Sequence, residues 1–460
     1  MRFTLLGLLL GFLGIVSALS ATGSSLLVII EEEADKSKYS QFWADLQGRG
    51  YEITYRSPKD TNLSLFLHGE PAYSHLLLLP PKSKGLGPNL TPNLLVDFIN
   101  GGSNILLALS AEQAVPTAIN SLLLELDINL PSDRTSLVVD HLAYDLTSSA
   151  EKHDVLLIPS AEPKKGVVDF FSVDGLVAFP RAVGQVLGNA SPMLSSIVKA
   201  GASAYIYNPK EETEGVEDPF ATGSQINIVS AFQARNSARF TVLGSSEALQ
   251  DTWFDAKVRL PGTDYKAGKT SNKEFAQRLS EWAFKEIGVL RVEQVQHSLD
   301  EDTKDINPKI YRVKNDVRYS IEISEWDVDQ WIPFNPPTGD AVQLEFSMLS
   351  PFHRLSLNSS PSTTNKDATA FSTTFRTPDQ HGIFNFYVEY RRPFFTAIED
   401  KQTVTVRHFA HDEFPRSYEI SAAWPWISGI WVTIGGWLAF VAIWLYSKPT
   451  RDNKPASAKK

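Results

Sequence analysis

The sequence predicts an α/β doubly wound domain, then a β-sandwich, then one membrane-spanning helix. Three observations carry this. In the first half, short apolar runs alternate with amphipathic helical patterns, as in a parallel sheet covered by helices on both faces. From Lys309 the apolar period shortens to two. Near the end, Trp424 to Tyr446 is an uninterrupted apolar stretch of 23 residues, roughly 34 Å long as a helix and enough to cross a bilayer core of about 30 Å.

The two ends set the topology. Arg2 precedes an apolar run from Leu5 to Val16, and Ala18-Leu19-Ser20 resembles a small-residue cleavage site, the layout of a removable signal peptide. The tail after Tyr446 carries Lys448, Arg451, Lys454, Lys459 and Lys460 against Asp452, whereas the fifteen residues before Trp424 hold one base, Arg416. Bases stay on the cytoplasmic side, so the tail is expected in the cytosol and the bulk in the lumen of the endoplasmic reticulum. Trp424, Trp426, Trp444 and Tyr446 suit the two interfacial belts. The division read from the chain is a leader over 1–20, an α/β domain over 21–288, a β-sandwich over 289–412, a linker over 413–423, the span over 424–446 and a basic tail over 447–460.

In the α/β part, Ser25–Ile30 reads as a buried strand. Tyr39, Phe42, Trp43 and Leu46 then recur at helical spacing before Gly48 and Gly50. Tyr51–Arg56 and His75–Leu79 read as further strands. Thr91-Pro92 opens a helix, with threonine as cap and proline in the first turn, and Gly101-Gly102 closes it. Asn104–Leu109, Ser136–Asp140 and Asp154–Ile158 continue the series, with Asn227–Gln233 and Phe240–Leu243 as late strands. Ser271-Asn-Lys-Glu274 has the form of a capping box, and Phe275, Leu279, Trp282 and Ile287 line one helical face before Gly288. In the sandwich, Tyr319, Ile321 and Ile323 alternate with polar residues. Val342–Phe346, Ala370–Phe375, Ile383–Tyr390 and Thr403–Arg407 behave alike, separated by Pro333–Gly339 and Ser359–Thr369.

Composition excludes several chemistries. The lumenal part holds 37 basic and 52 acidic residues, a net −15, which opposes broad binding of polyanions and argues against nucleic acid. Cysteine is absent, so thiol nucleophiles, disulfide exchange and thiolate zinc sites are impossible. Four glycosylation sequons occur, at Asn62, Asn89, Asn189 and Asn358. The last three are each followed by proline, which leaves Asn62 as the best acceptor.

No catalytic constellation emerges, and no cofactor or metal is expected. Asp327-Val-Asp329 lies between strand patterns and reads as a polar hairpin tip rather than a metal pair. His408, His411, Asp412 and Glu413 fall between the last strand and the membrane, where a hydrated linker accounts for them. Gly85-Leu-Gly87 lacks the spacing of a dinucleotide loop, and Gly201-Ala-Ser203-Ala-Tyr205 lacks the second glycine of a nucleophile elbow. The membrane helix does carry a pattern. Ser428, Gly435, Ala439 and Ala442 fall on one face, with Gly436 beside it, and small residues let membrane helices approach closely.

Several strings resemble one family as a set: Ala238–Asp251 (ARFTVLGSSEALQD), Ser280–Glu293 (SEWAFKEIGVLRVE), Val317–Phe334 (VRYSIEISEWDVDQWIPF), Ala341–Arg354 (AVQLEFSMLSPFHR) and His381–Pro393 (HGIFNFYVEYRRP). With Leu76–Ser110 and Ser136–Asp145, they are similar, in order, to the 48 kDa, wheat-germ-agglutinin-binding-protein-type subunits of oligosaccharyltransferase. The resemblance implies a non-catalytic subunit of the complex that transfers a preassembled glycan from dolichyl diphosphate to asparagine in Asn-x-Ser/Thr. It implies a glutamine-amidotransferase-like amino-terminal fold. It also implies three neighbours: a ribophorin II-type subunit, a small defender-against-death-type membrane subunit and a multi-span catalytic subunit. The family's dilysine retrieval signal is displaced here, since Lys459 and Lys460 are the last two residues. Two other classes compete: a membrane-anchored metal-dependent enzyme using Asp327 and Asp329, and a lumenal glycan-binding module.

Overall fold

A computed structural model describes residues 19–83, 85–133, 135–159, 167–189, 191–209, 218–262, 268–301, 304–413 and 423–447. The apolar leader, most of the juxtamembrane stretch and the basic tail from 448 lie outside the described residues. Residues up to Val406 form one compact unit, and 407–460 a second.

The first unit is built around a seven-stranded sheet. Its strands in chain order are β1 (Ser25–Ile29), β2 (Glu52–Arg56), β3 (His75–Leu78), β4 (Asn104–Ala108), β5 (Leu194–Lys199), β6 (Asn227–Gln233) and β7 (Arg239–Leu243). They lie side by side as β5-β6-β7-β4-β3-β1-β2. The β2, β1, β3, β4 and β7 pairings are parallel, and β5 and β6 add antiparallel. The sheet is therefore mixed, not all-parallel. The strand patterns near 137–139 and 155–159 sit apart from it in two-stranded ladders of their own.

Helices cover both faces, because successive side chains of a strand point opposite ways. Leu26 and Val28 of β1 pack with Phe42, Trp43 and Leu46 of α1 (Ser40–Gly48). Leu27 and Ile29 pack with Leu95, Phe98 and Ile99 of α2 (Pro92–Asn100) and with Ile119, Leu122 and Leu123 of α3 (Thr117–Glu125). Thr91 caps α2 as expected, its hydroxyl accepting from Leu94 N–H at 3.4 Å. The first backbone donors of α1 have a remote partner: Asp251 accepts from the N–H groups of Ser40 and Gln41, both at 2.9 Å. Helix α4 (Asn272–Ala283) lies on the α1 face through Phe275, Leu279 and Trp282. The capping box does not form there, since the Ser271 hydroxyl donates to Asp174 C=O instead. Nor does the helix reach Ile287, which opens a strand.

That strand, β8 (Ile287–Leu299), starts the second sheet system. It continues with β9 (Ile310–Arg312), β10 (Asp316–Asp327), β11 (Gln330–Pro333), β12 (Gln343–Ser347), β13 (Pro351–Ser356), β14 (Asn358–Pro361), β15 (Thr369–Arg376), β16 (Gly382–Tyr390) and β17 (Ile398–Arg407). One sheet runs β8-β10-β15-β14, with β11 on β10; the other runs β9-β17-β16-β12-β13. Val317, Tyr319, Ile321 and Ile323 of β10 are fully buried, as period two requires. Rings of the two sheets touch: Tyr319 stacks on Phe386 at 5.4 Å, and Phe346 meets Phe375 at 5.1 Å.

The α/β and β parts meet at Arg239, the first residue of β7, whose side chain is fully buried. Its Nη1 donates to Trp282 C=O (2.6 Å) and Ile287 C=O (2.8 Å). Its Nη2 donates to Gly288 C=O (2.8 Å) and Phe394 C=O (3.4 Å). The guanidinium lies 4.6 Å over the Trp282 ring, and Trp282 Nε1–H in turn donates to Phe394 C=O at 2.8 Å. Burial pushes the Arg239 pKa down to about 9, so the group remains charged at neutral pH. Nearby, Arg49 bonds Glu286 (2.7 Å) and the Ser280 hydroxyl (2.7 Å), while Tyr51 donates to the same Glu286 oxygen (2.7 Å). At the amino-terminal edge, Ser20 donates to Phe284 C=O at 2.7 Å, and Leu19 C=O accepts from Trp326 Nε1–H at 2.7 Å.

His75 is fully buried beside this edge. Its Nε2 lies 3.0 Å from Gly23 C=O and its Nδ1 3.2 Å from Asn104 Nδ2, which fits the neutral tautomer protonated at Nε2. Burial pushes the pKa of His75 down to about 3 and that of His297 down to about 4, from 6.5. Both rings are neutral when folded and take up a proton on unfolding. Stability is thus full above about pH 6.5 and lost as pH falls toward the folded values, by up to ~1.4 kcal/mol per pH unit for each ring. Thermal unfolding between pH 7 and 5 is expected to show this fall. His75→Gln is expected to make it shallower while lowering stability at pH 7. An unchanged slope would remove His75 from the account. Replacing Arg239 by lysine leaves one compact ammonium for carbonyls that a planar fork reaches together. A loss of about 3 kcal/mol is expected in denaturant titration of the purified full chain.

Candidate functional site

The residues that sequence chemistry singled out are dispersed. Asp327 ends β10 and pairs with Gln330 of β11, so Asp327-Val328-Asp329-Gln330 is a hairpin tip, as expected. Val328 takes a positive φ of 55°, and Asp329 N–H bonds back to Asp327 C=O at 2.6 Å. Trp326 and Trp331 face each other across this hairpin with centroids 5.2 Å apart, and Arg291 covers the Trp331 ring at 3.8 Å. The carboxyl displaced in this region is Glu325: burial, with Asp327 nearby, pushes its pKa up to about 7.

Ser203 donates to Asp140 Oδ1 at 2.7 Å. That carboxylate also receives the N–H groups of Leu142 and Ala143 at 2.8 and 3.2 Å, a loop-closing role. Next to it, His141 and His153 approach through their Nδ1 atoms, and His141 Nε2 lies 3.0 Å from Tyr205 OH. Gly87 has φ 81°, and a Cβ there would stand 2.9 Å from Pro58 C=O, so this glycine serves a close loop crossing. In the second unit, Glu413 accepts both Nη atoms of Arg407 at 2.8 and 2.9 Å and Ala410 N–H at 3.0 Å. Among the described residues, no three His, Asp or Glu side chains converge in metal-binding geometry.

Asn62 is exposed in a turn where its N–H donates to Asp60 Oδ1 at 2.9 Å, and Ser64 beside it is exposed as well. By contrast, Thr91 of the second sequon is occupied as a helix cap. The second unit holds α5 (Ala423–Tyr446), 24 residues with the length and composition to cross a membrane. Ser428, Gly435, Ala439 and Ala442 are exposed along it, and a Cβ added at Gly435 or Gly436 would meet nothing within 4 Å.

Sequence reasoning missed Arg239, Glu325 and the His141–His153 pair. Arg239 had a signal, a lone base opening an otherwise apolar strand. The other two are assembled by pairing between separate loops and strands and leave no local pattern.

The family model described as "OST48, N-terminal domain" matches residues 17–286, and "OST48 middle domain" matches 296–448. The 48 kDa subunit of dolichyl-diphosphooligosaccharide–protein glycosyltransferase from Caenorhabditis elegans is 33% identical over 92% of each chain. The subunit wbp1 of the same enzyme from Schizosaccharomyces pombe is 31% identical over 94% of each chain. Among solved structures, a glutamine amidotransferase from Thermotoga maritima overlaps 48% of this chain and 74% of its own, at 10% identity and a TM-score of 0.25. Matched along both domains and the terminal helix, the chain belongs to the family of 48 kDa oligosaccharyltransferase subunits.

Proposed function

We propose that this chain is a non-catalytic, structural and regulatory subunit of oligosaccharyltransferase, the complex that transfers a preassembled glycan from dolichyl diphosphate to asparagine in Asn-x-Ser/Thr of nascent proteins. One observation carries the reading: the family likeness spans 94% of the chain, terminal helix included. The dispersal of the candidate side chains agrees with it. The Arg49, Glu286 and Arg239 side chains bond to internal partners, which suits a body that presents surfaces.

In this reading the chain resides in the endoplasmic reticulum membrane with its first unit lumenal and its basic tail cytosolic. The α/β part is of the glutamine-amidotransferase-like class, and the two antiparallel sheets form a β-sandwich. The divide between them is kept near 288. Its neighbours are a ribophorin II-type subunit, a defender-against-death-type small membrane subunit and the multi-span catalytic subunit. Asn62 is the glycan acceptor. The leader over 1–20 is removed on entry into the lumen.

The α5 face of Ser428, Gly435, Ala439 and Ala442 is the packing surface for a neighbouring span, held by close contact. Depletion of the chain is expected to lower sequon occupancy across many unrelated glycoproteins, measured by mass spectrometry. Gly435→Leu with Ala439→Leu raises hydrophobicity, so insertion survives, but it adds bulk where backbones approach. The double variant is expected to reach the membrane and lose its partners in mild-detergent purification. Ile430→Leu with Val441→Leu, on the opposite side of the helix, is expected to behave as wild type. Equal recovery of partners by both pairs would move assembly to the lumenal unit.

A further inference from the structure

Three exposed apolar side chains gather at one end of the β9-β17-β16-β12-β13 sheet. Leu349 stands at the apex of the turn from β12 to β13 and is 98% exposed. Ile383, the second residue of β16, is 61% exposed, and Phe352, the second residue of β13, is exposed as well. The register brings them together. Ser347 of β12 lies opposite Asn385 of β16, so the turn beyond it is level with Gly382 and Ile383. A Cβ at Gly382 would stand 2.6 Å from Met348 Sδ, and the Phe352 ring lies 5.3 Å from that of Phe384. One exposed leucine calls for no explanation; a cluster at a single sheet end does.

The same end is where the chain leaves the first unit. Gly382 and Ile383 pair with Val406 and Thr405, and β17 ends at Arg407. Beyond it the chain closes on itself, because Glu413 accepts from both Nη atoms of Arg407 and from Ala410 N–H. Residues 414–422 then connect Glu413 to Ala423, the first residue of α5. Whatever path they take, that step covers at most roughly 35 Å. Trp424 and Trp426 suit the headgroup layer, so the end of β17 stays within reach of lipid.

We propose that this end of the β part rests on the bilayer, with Leu349, Phe352 and Ile383 dipping into the headgroup–acyl boundary of the lumenal leaflet. The inference rests on α5 crossing the membrane. The short tether keeps lipid at high effective concentration beside the tip. Three side chains fall far short of the roughly 800 Å² that a stable protein interface takes from each partner. Lipid asks for no matching shape, and binding grows with the apolar area inserted. The tip also carries nothing costly to bring to an apolar boundary: Phe346–Arg354 and His381–Asn385 contain no carboxylate in an otherwise acidic chain. Three carboxylates near it are paired, Glu345 with Arg354 (2.7 Å), Asp379 with Lys314 (2.7 Å) and Asp316 with Arg376 (3.1 Å). Contact by the tip adds a second support to the span and fixes the height of the first unit above the membrane.

The test uses the full chain in nanodiscs of phosphatidylcholine and phosphatidylethanolamine. The chain lacks cysteine, so Leu349→Cys takes a single polarity-sensitive fluorophore. Its emission is expected to shift to the blue and to be quenched by lipids bearing a nitroxide high on the acyl chain. The same label on Leu124→Cys, at an exposed leucine of α3, is expected to show neither effect. With the label moved to Ser350→Cys, adding Leu349→Asp and Ile383→Asp is expected to abolish the quenching; both positions are exposed, so folding is spared. A photoreactive residue at position 349, with the chain in its native membranes, is expected to crosslink lipid. Resistance to alkaline extraction checks the span separately. An unquenched label at 349 in a chain that resists extraction, or crosslinks to another protein in place of lipid, overturns the proposal. Release of the chain by alkali would strike the span reading and the proposal with it.

Discussion

A single buried guanidinium joins the α/β and β parts of the first unit. Arg239 has backbone carbonyls for partners, gathered from the end of α4, the start of β8 and the loop carrying Phe394. Burying such a charge costs several kcal/mol even after relaxation. Charge-assisted hydrogen bonds of roughly 1.5–3 kcal/mol each, together with the Trp282 face, are of the size needed to offset it. The offset exists only while all these segments hold position, so Arg239 makes their geometry conditional on one another. Aliphatic packing alone would tolerate sliding; a fork pointed at several oxygens does not.

This constraint bears on function. A body whose α/β sheet and β strands are fixed to each other can hold surfaces at set distances from a membrane partner. The same junction contributes Phe394 to the lining of a cavity of about 680 Å³ beside β5. Loosening it would therefore affect both stability and the shape of that cavity. Several ionisable groups at the junction have internal partners. Arg49 and Glu286 neutralise each other, and His75 is kept neutral between Gly23 and Asn104.

Much of the fold was legible because its elements are locally consistent. The runs Leu26–Ile29, Leu76–Leu78 and Ile105–Ala108 are apolar on both sides, as strands covered on both faces must be. Thr91-Pro92 states its cap outright. Reading failed where tertiary partners decide. The Asp251 contact to α1 comes from more than two hundred residues away. The Ser271 hydroxyl was drawn to a neighbouring loop. Helix α4 stops before Ile287 because Lys285 turns into positive φ and Gly288 follows suit, which the apolar spacing of Ile287 concealed. The strands near 137–139 and 155–159 have correct patterns, but pattern alone does not say which sheet a strand joins. The membrane helix was readable in full, being set by length and hydrophobicity. The cavity beside β5 was not, since its described lining comes from separate stretches of chain.

The central claim is that this chain supports glycan transfer by architecture while its own side chains take no part in bond making. The most direct measurement is sequon occupancy in cells depleted of the chain and complemented with a version in which Asp327, Asp329, Ser203, His141 and His153 are all alanine. With assembly verified by co-purification, occupancy is predicted to match that restored by the unaltered chain. A fall in transfer rate of a hundredfold or more in an intact complex, about 2.7 kcal/mol at the transition state, would contradict the claim and make one of those groups catalytic.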